Sequence, residues 1–106
     1  MKLITVEELK ELIDSNSEEF QLIDVRENYE SEICNIGGEN IPLGQILSRC
    51  DDISKTKKVI FYCKNGERSY SIVSFLGNQL GLKNLYSLTG GVVSWINKID
   101  PSMSLE

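Results

Sequence analysis

The sequence predicts an α/β domain in which a mainly parallel sheet carries helices on both faces, as a small three-layer sandwich. Short apolar runs typical of strands alternate along the chain with segments whose apolar residues recur at helical spacing. Such alternation is typical of crossover units, in which a helix connects two parallel strands. The 106 residues suffice for one domain with a modest core. We assign residues 1–104 to it and set Leu105-Glu106 aside as a vector-derived remnant.

The first elements have clear local signals. Residues 2–4 fit a very short strand, and Thr5 with Glu8 three positions later fits the capping box that begins a helix. The polar residues 15–19 end this helix, and the apolar run at residues 21–25 is a second strand. The buried face of the first helix is predicted to consist of Val6, Leu9, Leu12 and Ile13.

The middle of the chain is less regular. We expect residues 28–39 to be irregular, residues 40–43 to form a short strand and residues 44–52 a short helix. Cys50 then lies on the inner face of that helix as a small apolar residue. The charged residues 51–58 are a solvated connector to the strand at residues 59–62.

The second half alternates again. A helix follows residue 69 and ends near Leu80, where Gly81 suits the residue just past a helix. Residues 84–88 form a strand, residues 89–91 turn, and residues 92–99 form a last helix stopped by Pro101. Trp95 is predicted to pack in the core.

Composition restricts the possible functions. The net charge of −5 argues against a nucleic-acid partner, which would need a basic face. No apolar run is long enough to span a membrane, and acidic residues come too early for a signal peptide, so we expect a cytoplasmic protein. The three cysteines show no C-x-x-C spacing and the chain has no histidine. We therefore expect no metal site and no cofactor.

Cys63 is the candidate nucleophile. It follows the strand at residues 59–62 and precedes a helix, so loop amides, the positive helix N-terminus and the cations Lys64 and Arg68 all favour a sulfur anion there. Gly66 permits a turn that a side chain would resist, and Ser69 suits the N-cap of the helix. Without histidine, the loop itself must activate the sulfur. The alternative is a structural cysteine at a strand end.

Cys63-x-x-Gly66-x-Arg68-Ser69 resembles the active-site loop of rhodanese domains, which are sulfurtransferases. The resemblance implies a small α/β sandwich and a cysteine that carries sulfur as a persulfide. It also implies that the rest of the loop binds the substrate, namely Lys64, Asn65, Gly66, Glu67, Arg68 and Ser69. Phosphatases on the same fold have a loop one residue longer, so the six residues from Cys63 to Arg68 favour sulfur over phosphate.

A second segment supports this resemblance. Residues 22–27 read Leu-Ile-Asp-Val-Arg-Glu and are similar to the rhodanese segment whose aspartate lies close to the active-site loop. We therefore expect Asp24 and Arg26 to be supporting residues, with Asp24 orienting Arg68. The alternative places Asp24 in a turn and Arg26 in solvent.

Residues 32–38 and 90–102 more specifically resemble the C-terminal rhodanese domain of ubiquitin-activating-like sulfurylases of molybdopterin and thiamine biosynthesis. That resemblance implies a small sulfur donor, such as thiosulfate or a persulfide protein, and a sulfur-carrier protein ending in Gly-Gly as acceptor. Two other hypotheses are a phosphatase or arsenate reductase on the same fold, and a binding module without catalysis.

Overall fold

The computed structural model describes residues 2–16 and 19–106, and its described strands form one parallel sheet. Every strand pair in the sheet is parallel, and the spatial order is β1-β5-β4-β2-β3. The predicted α/β class is confirmed. The strands are β1 (Lys2–Ile4), β2 (Phe20–Asp24), β3 (Glu39–Asn40), β4 (Lys58–Tyr62) and β5 (Leu85–Leu88).

Helices cover both faces of this sheet. They are α1 (Val6–Asp14), α2 (Asn28–Ile33), α3 (Glu67–Leu80) and α4 (Gly91–Lys98). Alternate residues of the central strand β4 point to opposite faces. Val59 and Phe61 therefore belong to the core under α3, whereas Ile60 and Tyr62 belong to the core under α1 and α4.

The N-terminus of α1 has the predicted capping box. The Glu8 amide donates to Thr5 Oγ1 at 3.1 Å, and the Thr5 amide donates back to Glu8 Oε1 at 3.0 Å. Val6 and Leu9 are buried, and Leu12 and Ile13 pack at the edge of the same core. The helix ends at Asp14; of the polar residues expected to end it, 17 and 18 lie outside the described residues.

The prediction that residues 28–39 are irregular was wrong in its first half, because residues 28–33 form α2. Its first turn is held by Glu27, whose amide donates to Glu30 Oε1 at 3.1 Å. The helix is only six residues long and none of them is buried. It therefore has no apolar stripe by which a sequence pattern could reveal it.

The short elements after β3 also differ from the prediction. The strand expected at residues 40–43 is limited to Glu39–Asn40, because Pro42 has no amide to donate and the chain turns there into a 3₁₀ segment. The helix expected at residues 44–52 is instead two 3₁₀ segments, Leu43–Gln45 and Leu47–Asp52. Cys50 does pack against the core, as predicted.

Parallel strands bring their carboxyl ends to one edge, and β4 lies in the middle of the sheet with β5 and β2 as neighbours. The loop after β4 is thus flanked by the segments that follow β2 and β5. Sites in open parallel sheets form at this edge. None of the described helices combines the length and apolar character needed to cross a membrane.

Candidate active site

Cys63 directly follows β4 and is completely buried. It continues the alternation of β4 and lies in the core under α3, together with Val73 and Leu76. The sulfur therefore lies beneath the loop of residues 63–68. A reactant must reach it from the side on which this loop faces solvent.

The loop wraps its backbone amides around the sulfur. The Gly66 amide donates to Cys63 Sγ at 3.2 Å and the Ser69 amide at 3.4 Å. Both amides belong to the beginning of α3, so the positive end of the helix dipole points at the sulfur. These donors stabilise a negative charge on sulfur. The amide cradle predicted around Cys63 is confirmed.

Gly66 makes this turn possible. Its φ of +102° is a backbone conformation that side chains resist, and it occupies the N-cap of α3. A Cβ here would also lie 3.2 Å from the Gly90 amide nitrogen. The expected role of Gly66 as a turn residue is confirmed, whereas the expected N-cap at Ser69 was wrong because the N-cap is Gly66, three residues earlier, and the helix begins at Glu67.

Ser69 lies beneath the loop instead. It is fully buried, and its Oγ is 3.6 Å from Cys63 Sγ, 3.2 Å from the Gly66 carbonyl oxygen and 2.8 Å from Ser87 Oγ. Ser87 on β5 is 1% exposed, so the two hydroxyls form a closed polar contact in the core. Ser69 therefore contacts the inner side of the sulfur, and no sequence pattern pointed to Ser87.

The N-terminus of α4 supports the loop from the other side. The amides of Val92 and Val93 donate to the carbonyl oxygens of Cys63 and Lys64, both at 2.9 Å. This packing is so close that a Cβ on Gly91 would lie 2.3 Å from the Cys63 carbonyl oxygen. The Gly90-Gly91 pair, expected only to turn the chain, thus also lets α4 hold the loop.

The remaining loop side chains lie at the surface. Lys64, Asn65 and Glu67 are exposed, and the Glu67 amide donates to Asn65 Oδ1 at 3.3 Å. Arg68 is partly exposed. We call the outer side of the loop, formed by Lys64, Asn65, Glu67 and Arg68, its mouth. These four side chains can meet a reactant, whereas Gly66 and Ser69 act through backbone and hydroxyl groups around the sulfur.

Asp24 does not orient Arg68 as expected. Asp24 and Arg26 are each 1% exposed and bind each other, with Arg26 Nε 2.9 Å from Asp24 Oδ1 and Nη2 2.7 Å from Oδ2. Burial lowers the pKa of Arg26, but the Asp24 carboxylate more than offsets this, so its pKa stays above the ordinary value. Asp24 ends β2 and Arg26 lies two residues further on, so the two side chains pair with each other. No hydrogen bond joins either of them to Arg68 within the described part of the chain.

The pair supports the site through the backbone. Arg26 Nη2 donates to the Cys34 carbonyl oxygen at 2.7 Å. The buried Tyr62 hydroxyl donates to the Gly37 carbonyl oxygen at 2.8 Å and accepts from the Ile36 amide at 3.2 Å. Burial raises the pKa of Tyr62, so it remains a neutral donor. Together these bonds fix the segment that follows α2 against the end of the sheet.

Arg68 is instead held by Glu30, a residue that the sequence did not single out. Arg68 Nη1 lies 2.9 Å from Glu30 Oε1, and Nη2 lies 3.0 Å from Oε2. These hydrogen bonds lower the pKa of Glu30 from an ordinary 4.5 to about 2. The same bonds raise the pKa of Arg68, with a smaller contribution from the charge of Cys63. A bidentate pair fixes both position and orientation of the guanidinium.

The site offers an enclosed sulfur, backbone donors for an anion and one oriented guanidinium. Among residues 2–16 and 19–106, no group of three or more histidine, cysteine or carboxylate side chains is arranged to hold a metal ion. The chemistry that this arrangement supports directly is nucleophilic attack by sulfur, with the resulting anion held by the loop.

Comparison with known proteins identifies the family. The model of the rhodanese-like domain matches residues 5–98, and the chain belongs to this family. Over 102 residues it is 33% identical to the candidate sulfurtransferase YtwF of Bacillus subtilis, with 95% of this chain and 96% of that protein covered. Sulfur transfer is the activity that these findings support.

Other relatives are longer. The chain is 37% identical to the chloroplastic rhodanese-like/PpiC domain-containing protein 12 of Arabidopsis thaliana and covers 36% of its length. It is 29% identical to MoeZ of Mycobacterium tuberculosis, a candidate adenylyltransferase/sulfurtransferase, and covers 26% of it. These matches include 97% and 94% of this chain. The expected likeness to sulfurylase rhodanese domains is confirmed.

A solved structure agrees with the fold. A rhodanese-related protein from Thermoplasma volcanium superimposes with a TM-score of 0.79 at 31% identity, and the match covers 100% of both chains. The rhodanese sandwich predicted from the sequence is thus confirmed over the full length.

Proposed function

We propose that this protein is a sulfurtransferase that carries sulfur as a persulfide on Cys63. The observation that carries the proposal is the buried Cys63 sulfur beneath the amides of Gly66 and Ser69. These amides favour the thiolate before sulfur uptake and the persulfide anion after it. Family membership and the relative named as a sulfurtransferase support the same reading.

The reaction is two displacements at sulfur. The Cys63 thiolate attacks the sulfane sulfur of a donor such as thiosulfate or a persulfide protein, a new S–S bond forms, and sulfite or the donor thiolate leaves. A thiol, cyanide or another nucleophilic acceptor then attacks the outer sulfur, and the Cys63 thiolate is released. Lys64, Asn65, Glu67 and Arg68 meet the donor and acceptor at the loop mouth, and no cofactor takes part.

We further propose that the acceptor is a sulfur-carrier protein whose C-terminal Gly-Gly is activated as an acyl-adenylate, as in molybdopterin or thiamine biosynthesis. The likeness to MoeZ, named as an adenylyltransferase and sulfurtransferase, supports this. With this acceptor the outer sulfur of the Cys63 persulfide is the nucleophile: it bonds to the acyl carbon and AMP leaves. Two equivalents of an external thiol are then oxidised to a disulfide as they break the remaining S–S bond and release the thiocarboxylate and the Cys63 thiol. A reducing cytoplasm suits the scheme, because all three cysteines are free thiols.

Competing acceptors test the proposal. The protein is loaded with sulfur and offered cyanide, a small thiol or adenylated carrier protein, and an aryl phosphate is tested separately for hydrolysis. We expect transfer to all three acceptors, fastest to the carrier, and negligible phosphate hydrolysis. Robust phosphatase activity would contradict sulfur transfer, whereas an adenylated carrier that gains no sulfur would contradict only the carrier assignment.

A further inference from the structure

Glu30 changes the electrostatics at the mouth of the loop. Its carboxylate occupies two N–H groups of Arg68 at 2.9 and 3.0 Å and cancels the guanidinium charge. The pair is fixed, because the first turn of α2 also holds Glu30 through the Glu27 amide at 3.1 Å. An incoming anion therefore meets an ion pair at this position rather than a free cation.

The other charges nearby do not restore a positive mouth. Arg26 is buried and paired with Asp24, so its positive charge is neutralised inside the protein. Lys64 and Glu67 of the loop are both exposed and carry opposite charges, and Glu27, just before α2, is a further exposed carboxylate. The whole chain carries a net charge of −5, which adds a general repulsion of anions.

We propose that Glu30 is a specificity-determining residue that disfavours dianionic sulfur donors, and that the site takes its sulfur from an organic persulfide of lower charge. This inference rests on the proposed sulfur transfer through Cys63. A thiosulfate dianion that approaches Arg68 meets a guanidinium already bound to the Glu30 carboxylate. A persulfide, which is neutral or singly charged at its sulfur, meets less of that repulsion.

The persulfide reaction needs no further reactant. The Cys63 thiolate attacks the terminal sulfur of R–S–SH, the Cys63 Sγ–S bond forms as the S–S bond of the donor breaks, and the thiolate R–S⁻ leaves. The proton of the terminal sulfur stays on it or passes to the leaving thiolate. The backbone amides of the loop then hold the new persulfide anion.

Glu30→Gln isolates the charge, because glutamine keeps an oxygen that Arg68 can bind. The measurement is kcat and KM for thiosulfate and for the persulfide of 2-mercaptoethanol, whose organic part is uncharged, with one common acceptor. We expect kcat/KM for thiosulfate to rise about tenfold, mainly through KM, and the persulfide value to change less than twofold. The matched control is Glu32→Gln on the same helix, since Glu32 is exposed and makes no bond to Arg68 in the described part of the chain.

Ionic strength gives a second readout that needs no variant. In the wild type, salt should raise kcat/KM for thiosulfate by screening the repulsion, and this slope should flatten in Glu30→Gln. An unchanged ratio between the donors, or an equal loss for both in Glu30→Gln, would overturn the specificity role while leaving sulfur transfer intact. A wild-type protein that accepts sulfur at Cys63 from neither donor would overturn the proposed function as well.

Discussion

At the scale of single residues, the two arginines near the site have different tasks although both pair with a carboxylate. Arg26 is 1% exposed and binds Asp24 inside the protein. Arg68 is partly exposed and binds Glu30 at the loop mouth. Removing a partner of a buried pair leaves an uncompensated charge, whereas an exposed arginine is solvated when its partner is lost. The first pair therefore serves stability and the second serves the site.

Asp24→Asn and Arg68→Ala should separate these tasks. Asp24→Asn leaves the buried Arg26 without its carboxylate and should lower the free energy of unfolding by roughly 3–5 kcal/mol. The folded fraction should still transfer sulfur at close to the wild-type rate. Arg68→Ala should lose less stability than Asp24→Asn, because the Glu30–Arg68 pair is partly exposed, but should lose roughly 10²-fold in transfer. Arg68→Lys should lose less transfer, because lysine keeps the positive charge although it lacks the two-pronged guanidinium.

Urea denaturation and steady-state transfer rates, corrected for the folded fraction, check both variants. If Asp24→Asn keeps full stability but loses transfer, Asp24 acts on the reaction after all, and the assignment of these side chains fails.

At the scale of elements, α4 and the cysteine loop are packed too closely to admit a side chain between them. Gly91 has a φ of +56°, and a Cβ there would lie 2.3 Å from the Cys63 carbonyl oxygen. Gly91→Ala should therefore separate α4 from the loop and break the bonds that Val92 and Val93 donate. We expect a loss of roughly 1–3 kcal/mol in unfolding free energy from overpacking, and a fall in transfer rate as the cradle shifts.

Gly44→Ala is the matched control, because no atom lies within 4 Å of a Cβ built there. It should change stability by no more than about 0.5 kcal/mol and leave transfer unaffected. Equal stability and activity of the two alanine variants would show that the close packing of α4 against the loop does not contribute to the free energy of unfolding.

The contact between α2 and α3 should be sensitive to acid. The pKa of Glu30 is lowered from 4.5 to about 2 by its bonds to Arg68, so folding favours the ionised form. The stabilisation is fully present above pH 4.5 and is lost as the pH falls through 2. The difference in unfolding free energy between wild type and Glu30→Gln should be constant near neutral pH and shrink steadily below pH 4.5.

Chemical denaturation at a series of pH values at low salt measures this difference. A difference that stays the same from pH 6 to pH 2.5 would show that the ion pair does not connect the two helices.

At the scale of the whole molecule, the sequence predicted the framework of the site. The parallel sheet, the strand before Cys63, the amide loop and the end of α3 near Gly81 all follow from local patterns that packing reinforces. Trp95 also packs in the core, as predicted. Where the local signals and the global fold agree, the sequence alone is sufficient.

Contacts between distant segments could not be predicted in the same way. Glu30 meets Arg68 across 38 positions of sequence, and α2, which carries it, shows no apolar periodicity. Asp24 pairs with Arg26 instead of Arg68 because both Asp24 and Arg26 are buried. Two opposite charges two positions apart in a sequence do not indicate whether they are buried. The Ser69–Ser87 contact likewise depends on which side of β5 faces α3. A sequence pattern predicts which face of a strand or helix is buried. It does not predict which of several similar charged residues a side chain will pair with.

The most direct test of the central claim is the intact mass of the protein after exposure to a sulfur donor. Cys63 is the cysteine that combines the amide cradle with the helix N-terminus, whereas Cys34 and Cys50 are partly buried at the edges of the two cores. We predict the gain of one sulfur atom, removable by cyanide, in the wild type and in Cys34→Ala and Cys50→Ala, and no gain in Cys63→Ser. Uptake of one labile sulfur by Cys63→Ser would contradict the account.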